Sequence, residues 1–187
     1  MSPGRLVRAV LVVVLLSSCP AIDAFAAAGG RQAAGPGPAA RGPDKVAGQV
    51  ERAAQLLFAP GRSDSQVVDG LRTLVEAMAG AASEAGTKGG IAEKIAEARR
   101  QVGQGPFTEE AAALLNECYS LLHDGKPFRM PEGVRTIQQV EEHGRRLLDS
   151  ARDLLRQGKP AESLRPLVET AVMIITPVHA EEGAGRE

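Results

Sequence analysis

The chain has no tryptophan, one tyrosine and four phenylalanines. Past the leader, aromatic side chains remain at Phe58, Phe107, Tyr119 and Phe128, too scattered to form a stacking platform for bases or sugars. Charge of one sign is also lacking. The 22 lysines and arginines are interleaved with 23 aspartates and glutamates, so no electropositive face is expected and nucleic acid is not an expected partner. Two cysteines, Cys19 and Cys118, cannot supply a disulfide framework; if Cys19 is removed or lipidated, Cys118 has no partner within the chain. Cys118 lies in the apolar series Leu114, Leu115, Cys118, Leu121, Leu122, which points to a buried, inert thiol.

The ingredients of chemistry are equally sparse. None of His123, His143 and His179 lies three or four residues from another histidine or a cysteine, so no helix face presents a two-ligand metal pair. Cys118 and His123 are separated by about 140° around a helix. His179 with Glu181 and Glu182 is a weak metal set in the C-terminal tail. No haem-attachment motif, nucleophile elbow or phosphate-cradling loop occurs. Glu109-Glu110 and Glu141-Glu142 are sequential, so their side chains diverge on a helix instead of sharing a site. The expectation is a non-catalytic protein with no catalytic, cofactor-binding or metal-binding residues.

What is present begins with an address. Arg5 and Arg8 precede an apolar run from Ala9 to Leu16, about half the length of a membrane-spanning helix, and this is the pattern of an export signal. Two cleavage sites fit it. Leu16-Ser17-Ser18-Cys19 resembles the lipobox of bacterial lipoproteins, which implies cleavage before Cys19, acylation of that cysteine and attachment to a membrane. Ala24-Phe25-Ala26 has the small-x-small form of ordinary signal cleavage and would release a soluble chain beginning at Ala27. Residues 27–43 are nearly all Ala, Gly, Pro, Arg and Gln and contain no large apolar side chain, so they are expected to form a disordered, flexible linker.

Residues 44–178 read as one all-α domain, a single bundle of about five to six amphipathic helices, followed by a flexible tail at 179–187. Val46, Val50, Ala53 and Leu57 predict a helix over about 45–58, with Asp44 as its cap. Val67, Leu71, Leu74, Val75, Met78 and Ala82 predict a second over about 65–85, capped by Asp64 or Ser65. Ile91, Ile95, Ala98 and Val102 mark a short third, closed by Gly103 and Gly105-Pro106. Thr108 caps a fourth over about 109–123, with Glu109 and Glu110 in the first turn. Val134, Ile137, Val140, Leu147, Leu148, Ala151, Leu154 and Leu155 predict a long fifth over about 132–157. Its opposite face pairs Glu141 with Arg145, Glu142 with Arg146 and Asp149 with Arg152, as a solvated surface does. A sixth helix is expected over about 161–175, starting near Ser163 or bending so as to accommodate Pro166.

The pattern LL-x5-LL-x2-GKP occurs at Leu114 to Pro127 and again at Leu147 to Pro160, offset by 33 residues. The spacing is similar to a tetratricopeptide hairpin, but the Trp, Tyr and small-residue positions of that family are not matched, so the repeat is read as shared helix-ending chemistry.

These features predict an exported helical protein that acts by contact with a protein partner at the cell envelope, in the periplasm or outside it. The segment Lys126, Phe128, Arg129, Met130 combines charge and apolar bulk on a proline-flanked loop suited to such contact; alternatively, Phe128 and Met130 fold back over the end of the core. The competing reading is a bundle that holds a small ligand or metal, motivated by His123, His143, His179, Met78, Met130 and Met173.

Overall fold

The computed structural model describes residues 42–103 and 107–177, which form six α-helices: α1 (Gly42–Leu57), α2 (Asp64–Glu84), α3 (Gly90–Gly103), α4 (Glu109–Leu122), α5 (Ile137–Arg156) and α6 (Pro160–Ile175). No strand occurs among the described residues, and the protein is an all-α helical bundle. The helices belong to one compact unit, residues Ala40–Glu187; the other unit, Met1–Ala39, lies outside the described residues. The export signal with Cys19, the linker up to residue 41 and the tail at 179–187 with His179 therefore all lie outside them.

Helix ends follow local chemistry, and several fall where the periodicity did not place them. The first helix starts at Gly42, two residues inside the expected linker, and Asp44 sits in its first turn instead of capping it. Pro43 is tolerated there because a first-turn N–H has no intrahelical acceptor to lose. Ser63, not Asp64 or Ser65, caps α2: its hydroxyl accepts from the Gln66 amide while the Gln66 side chain accepts from the Ser63 amide. The largest correction is at α5, which begins at Ile137 and not near 132. A turn closed by the Val134 amide on the Pro131 carbonyl at 3.0 Å, with Gly133 at φ +85°, keeps Val134 out of the helix. Thr136 and Gln139 then form a reciprocal capping box. The sixth helix begins at Pro160, earlier than Ser163, with Pro166 inside it. Pro160 occupies its first turn, and Ser163 and Thr170 donate back to the carbonyls of Pro160 and Pro166 at 2.7 and 2.8 Å.

Helix packing follows the pairs α1·α2, α2·α3, α3·α4, α4·α6, α5·α6 and α1·α5, with α2·α6 across the middle. This is a two-by-three array. One layer runs α1, α2, α3 and the other α5, α6, α4, and α2 and α6 form the centre. Burial agrees: α2 buries Leu71, Leu74, Val75, Ala77, Met78, Ala81 and Ala82, and α6 buries Leu164, Leu167, Val168, Ala171, Val172 and Met173. Close approach of α1 to α2 depends on glycine. A Cβ on Gly70 would lie 2.6 Å from Leu57 Cγ, and one on Gly80 would lie 2.7 Å from Val46 Cγ2.

Helix directions emerge from a few pairs. Arg99 meets Glu76 at 2.7 Å between α3 and α2, and Lys94 pairs with Glu117 between α3 and α4. Arg165 lies 3.4 Å from the Leu122 carbonyl and from the His123 ring, and Phe58 at the end of α1 meets Gly144 near the start of α5. Every neighbouring pair is thus antiparallel. Consequently α4 and α5 are parallel, and the chain between them, residues 123–136, must travel back along the bundle by about the 30 Å length of the twenty-residue α5. We call this segment the strap.

Candidate functional site

The strap carries the four residues singled out in the sequence, and the structure divides them. Phe128 is half-buried and meets the Tyr119 ring edge-on, with centroids 5.1 Å apart at 87°. Met130 is also half-buried, whereas Lys126 and Arg129 are exposed. Phe128 thus folds back on the bundle, and the charged pair faces solvent. Tyr119 stacks on His123 at 4.0 Å and 12°, so the strap is pinned where it leaves α4 by three rings, Phe128 on Tyr119 on His123. Such aromatic pairs contribute about 0.5 to 1.5 kcal/mol beyond area burial.

Electrostatics at this corner come from Arg165. Its guanidinium lies 3.4 Å from ring nitrogens of His123. Burial, then the positive charge of Arg165, push the His123 pKa below its ordinary value; Glu169 and Asp124 oppose this and Lys126 adds to it. Burial, with Glu169 next, pushes the Tyr119 hydroxyl pKa up. The neutral imidazole is the form that suits this position, since a proton on it would face a permanent cation.

The repeated Gly-Lys-Pro sequences end α4 and α5 in related but unequal ways. Gly125 and Gly158 both take left-handed conformations, φ +80° and +72°. After α5, Gly158 makes the turn and Lys159 closes it on the Leu154 carbonyl at 2.9 Å. After α4, Asp124 is left-handed as well, φ 55°, and the Gly125 amide closes on the Ser120 carbonyl at 2.8 Å, one residue out of step with the repeat.

The other residues considered in the sequence are not brought together. Cys118 is fully buried, and desolvation, with Glu117 next, pushes its thiol up to about 12, the behaviour of an inert core cysteine. Met78 and Met173 are fully buried core side chains. His143 is half-buried on α5, far along the bundle from His123. Among the described residues, no group of three or more His, Cys, Asp or Glu is placed to hold a metal ion.

One expected surface is corrected. Glu142 with Arg146 and Asp149 with Arg152 are ion pairs on α5, at 2.7 and 3.1 Å. Glu141 and Arg145 do not pair with each other: Glu141 binds Arg62, and Arg145 donates to the Phe58 carbonyl. That face of α5 is therefore not uniformly solvated, because the segment after α1 covers part of it. Beside it, a pocket of about 150 Å³ lies between α1 and α5, lined by Val50, Ala54, Leu148 and Arg152 among others. A larger open groove, about 650 Å³, runs between α2 and α3 past Ala79, Ala82, Ala92 and Ala96, with Glu76 and Arg99 at its rim.

No described helix is long and apolar enough to cross a membrane. Comparison with known proteins finds no matching family model, no similar curated protein and no similar solved structure.

Proposed function

We propose that this protein is an exported, non-catalytic helical module that works by contact with a protein partner at the cell envelope, held at the membrane when Cys19 is acylated. The observation that carries the reading is the strap. It leaves Lys126 and Arg129 exposed on a segment whose Phe128 is already packed on Tyr119 within the bundle. Such a segment presents charge from a fixed platform, which suits recognition of a complementary acidic surface. The leader from Arg5 to Cys19 supports the location. Mass measurement of the mature N-terminus tests that location: acylated Cys19 and free Ala27 differ by far more than the error of the method, and retained Met1 would end the proposal of export. Crosslinking in cells, with wild type and the Lys126→Glu/Arg129→Glu variant compared, tests the contact. Loss of a recovered partner is the expected result, and unchanged recovery discards the strap as the interface.

A further inference from the structure

The cleft between α1 and α5 holds a donor and an acceptor that have not found each other. Val50, Ala54 and Leu148 form its apolar floor, and the space above them is about 150 Å³. Four charged side chains line it, Glu51 from α1 and Arg145, Asp149 and Arg152 from α5, so positive and negative charge balance. Arg145 donates to the Phe58 carbonyl, and Asp149 takes Arg152 Nη2 at 3.1 Å. Arg152 Nε, in contrast, is buried with no hydrogen-bond acceptor among the described residues; Asp153 Oδ1, at 3.6 Å, is beyond reach. Such a donor lowers stability until something accepts from it. On the other wall Glu51 has no ion pair or hydrogen bond among the described residues. Because antiparallel packing sets Phe58 against Gly144, moving back along α1 and forward along α5 brings Glu51 about level with Arg152. The two line one cleft without pairing.

We propose that this cleft binds a small zwitterionic α-amino acid, with its ammonium on Glu51, its carboxylate on Arg152 Nε and its side chain over Val50, Ala54 and Leu148. A simple anion would also meet Glu51 and Asp149, and a simple cation would also meet the two arginines. A ligand that carries both charges is the kind a balanced cleft favours. Volume narrows the class. A cavity of this size takes a molecule of about six non-hydrogen atoms, which suits glycine, alanine and serine. None of these residues belongs to the strap, so this site and the partner contact proposed above can fail independently.

The test titrates the full-length chain with L-alanine, followed by its backbone amide NMR signals, with acetate and methylammonium in parallel. Saturable shifts are expected at Val50, Ala54, Leu148 and Arg152 with L-alanine. Acetate and methylammonium should each bind about ten-fold more weakly, since each reaches one pole only. Glu51→Gln should lower the affinity for L-alanine about ten-fold, as should Arg152→Lys, which keeps the charge but has no Nε–H donor. Arg146→Gln, outside the cleft, should leave it unchanged. Unaltered amide signals along α2 and α6 show that each variant keeps the bundle. The proposal is overturned by the absence of saturable shifts at these amides in wild type, by acetate or methylammonium binding as tightly as L-alanine, or by undiminished affinity in either Glu51→Gln or Arg152→Lys.

Discussion

Arg145 ties α5 to the end of α1 through a single residue, Phe58. Its guanidinium lies 5.3 Å from the centroid of the Phe58 ring and also donates to the Phe58 backbone carbonyl. Arg146, its neighbour, makes an exposed i,i+4 pair with Glu142, the two side chains 68% and 66% accessible. Arg145→Ala should therefore cost about 1 to 2 kcal/mol, from a lost charged hydrogen bond and ring contact. Arg146→Ala should stay within about 0.5 kcal/mol. Urea unfolding followed by far-ultraviolet circular dichroism measures both, and equal losses would show that the Phe58 contact adds nothing.

Glycine has opposite meanings at two helical positions. At Gly144 an added Cβ would sit 2.5 Å from Phe58 Cζ, while at Gly48 it would meet nothing within 4 Å. Gly144→Ala should destabilise by about 1 to 3 kcal/mol because the Phe58 ring must move. Gly48→Ala should stabilise by about 0.5 to 1 kcal/mol by restricting the unfolded chain and favouring α1. Thermal melts of the two variants should shift in opposite directions.

Asp124 is the one non-glycine residue with positive φ among those described. A β-branched side chain tolerates that conformation poorly, so Asp124→Val should lose about 1 to 2 kcal/mol. Asp124→Gly should be nearly neutral or slightly stabilising. A tolerated valine would mean that the strap leaves α4 by another path.

The stacked imidazole makes stability depend on pH. Because burial and Arg165 hold the His123 pKa below its ordinary value, the unfolded chain takes up this proton first as pH falls. The contribution is complete above about pH 6.5, the ordinary histidine value, and is lost as pH drops below it toward the folded pKa. His123→Gln should flatten that part of the curve of unfolding free energy against pH. Parallel curves for variant and wild type would remove His123 from the acid response.

Cys118 reports global opening. With its thiol pushed up to about 12 and no side-chain exposure, it should resist maleimide labelling in the native state and react fully in denaturant. The same shift makes stability fall as pH rises above the ordinary thiol value of 9.0 toward 12. Rapid native labelling would place the α4 stripe at the surface.

Much of the local structure could be read from residue patterns. Thr108 as the cap of α4, the Gly-Lys-Pro endings and the inward stripe through Leu115 and Cys118 all appear where periodicity and capping chemistry put them. The start of α5 was readable too, in Thr136 and Gln139, but Val134 extends the apolar period one turn upstream and hides the capping box. The site was legible only as composition. Lys126, Phe128, Arg129 and Met130 suggested a contact loop, yet which of them turn inward depends on Tyr119, one turn before the end of another helix. Nothing local links Arg145 to Phe58 or Glu141 to Arg62, because those partners lie 87 and 79 residues away.

The amino-acid order alone determined that this chain makes helices and where most of them stop, because helix formation and termination are set by residues three or four positions apart. It did not determine which helices meet. An apolar stripe on one helix can pack against almost any other, so choosing α2 and α6 as the central pair requires the whole set of stripes, glycine contacts and link lengths to be satisfied at once. That global choice makes α4 and α5 parallel and turns residues 123–136 into a strap.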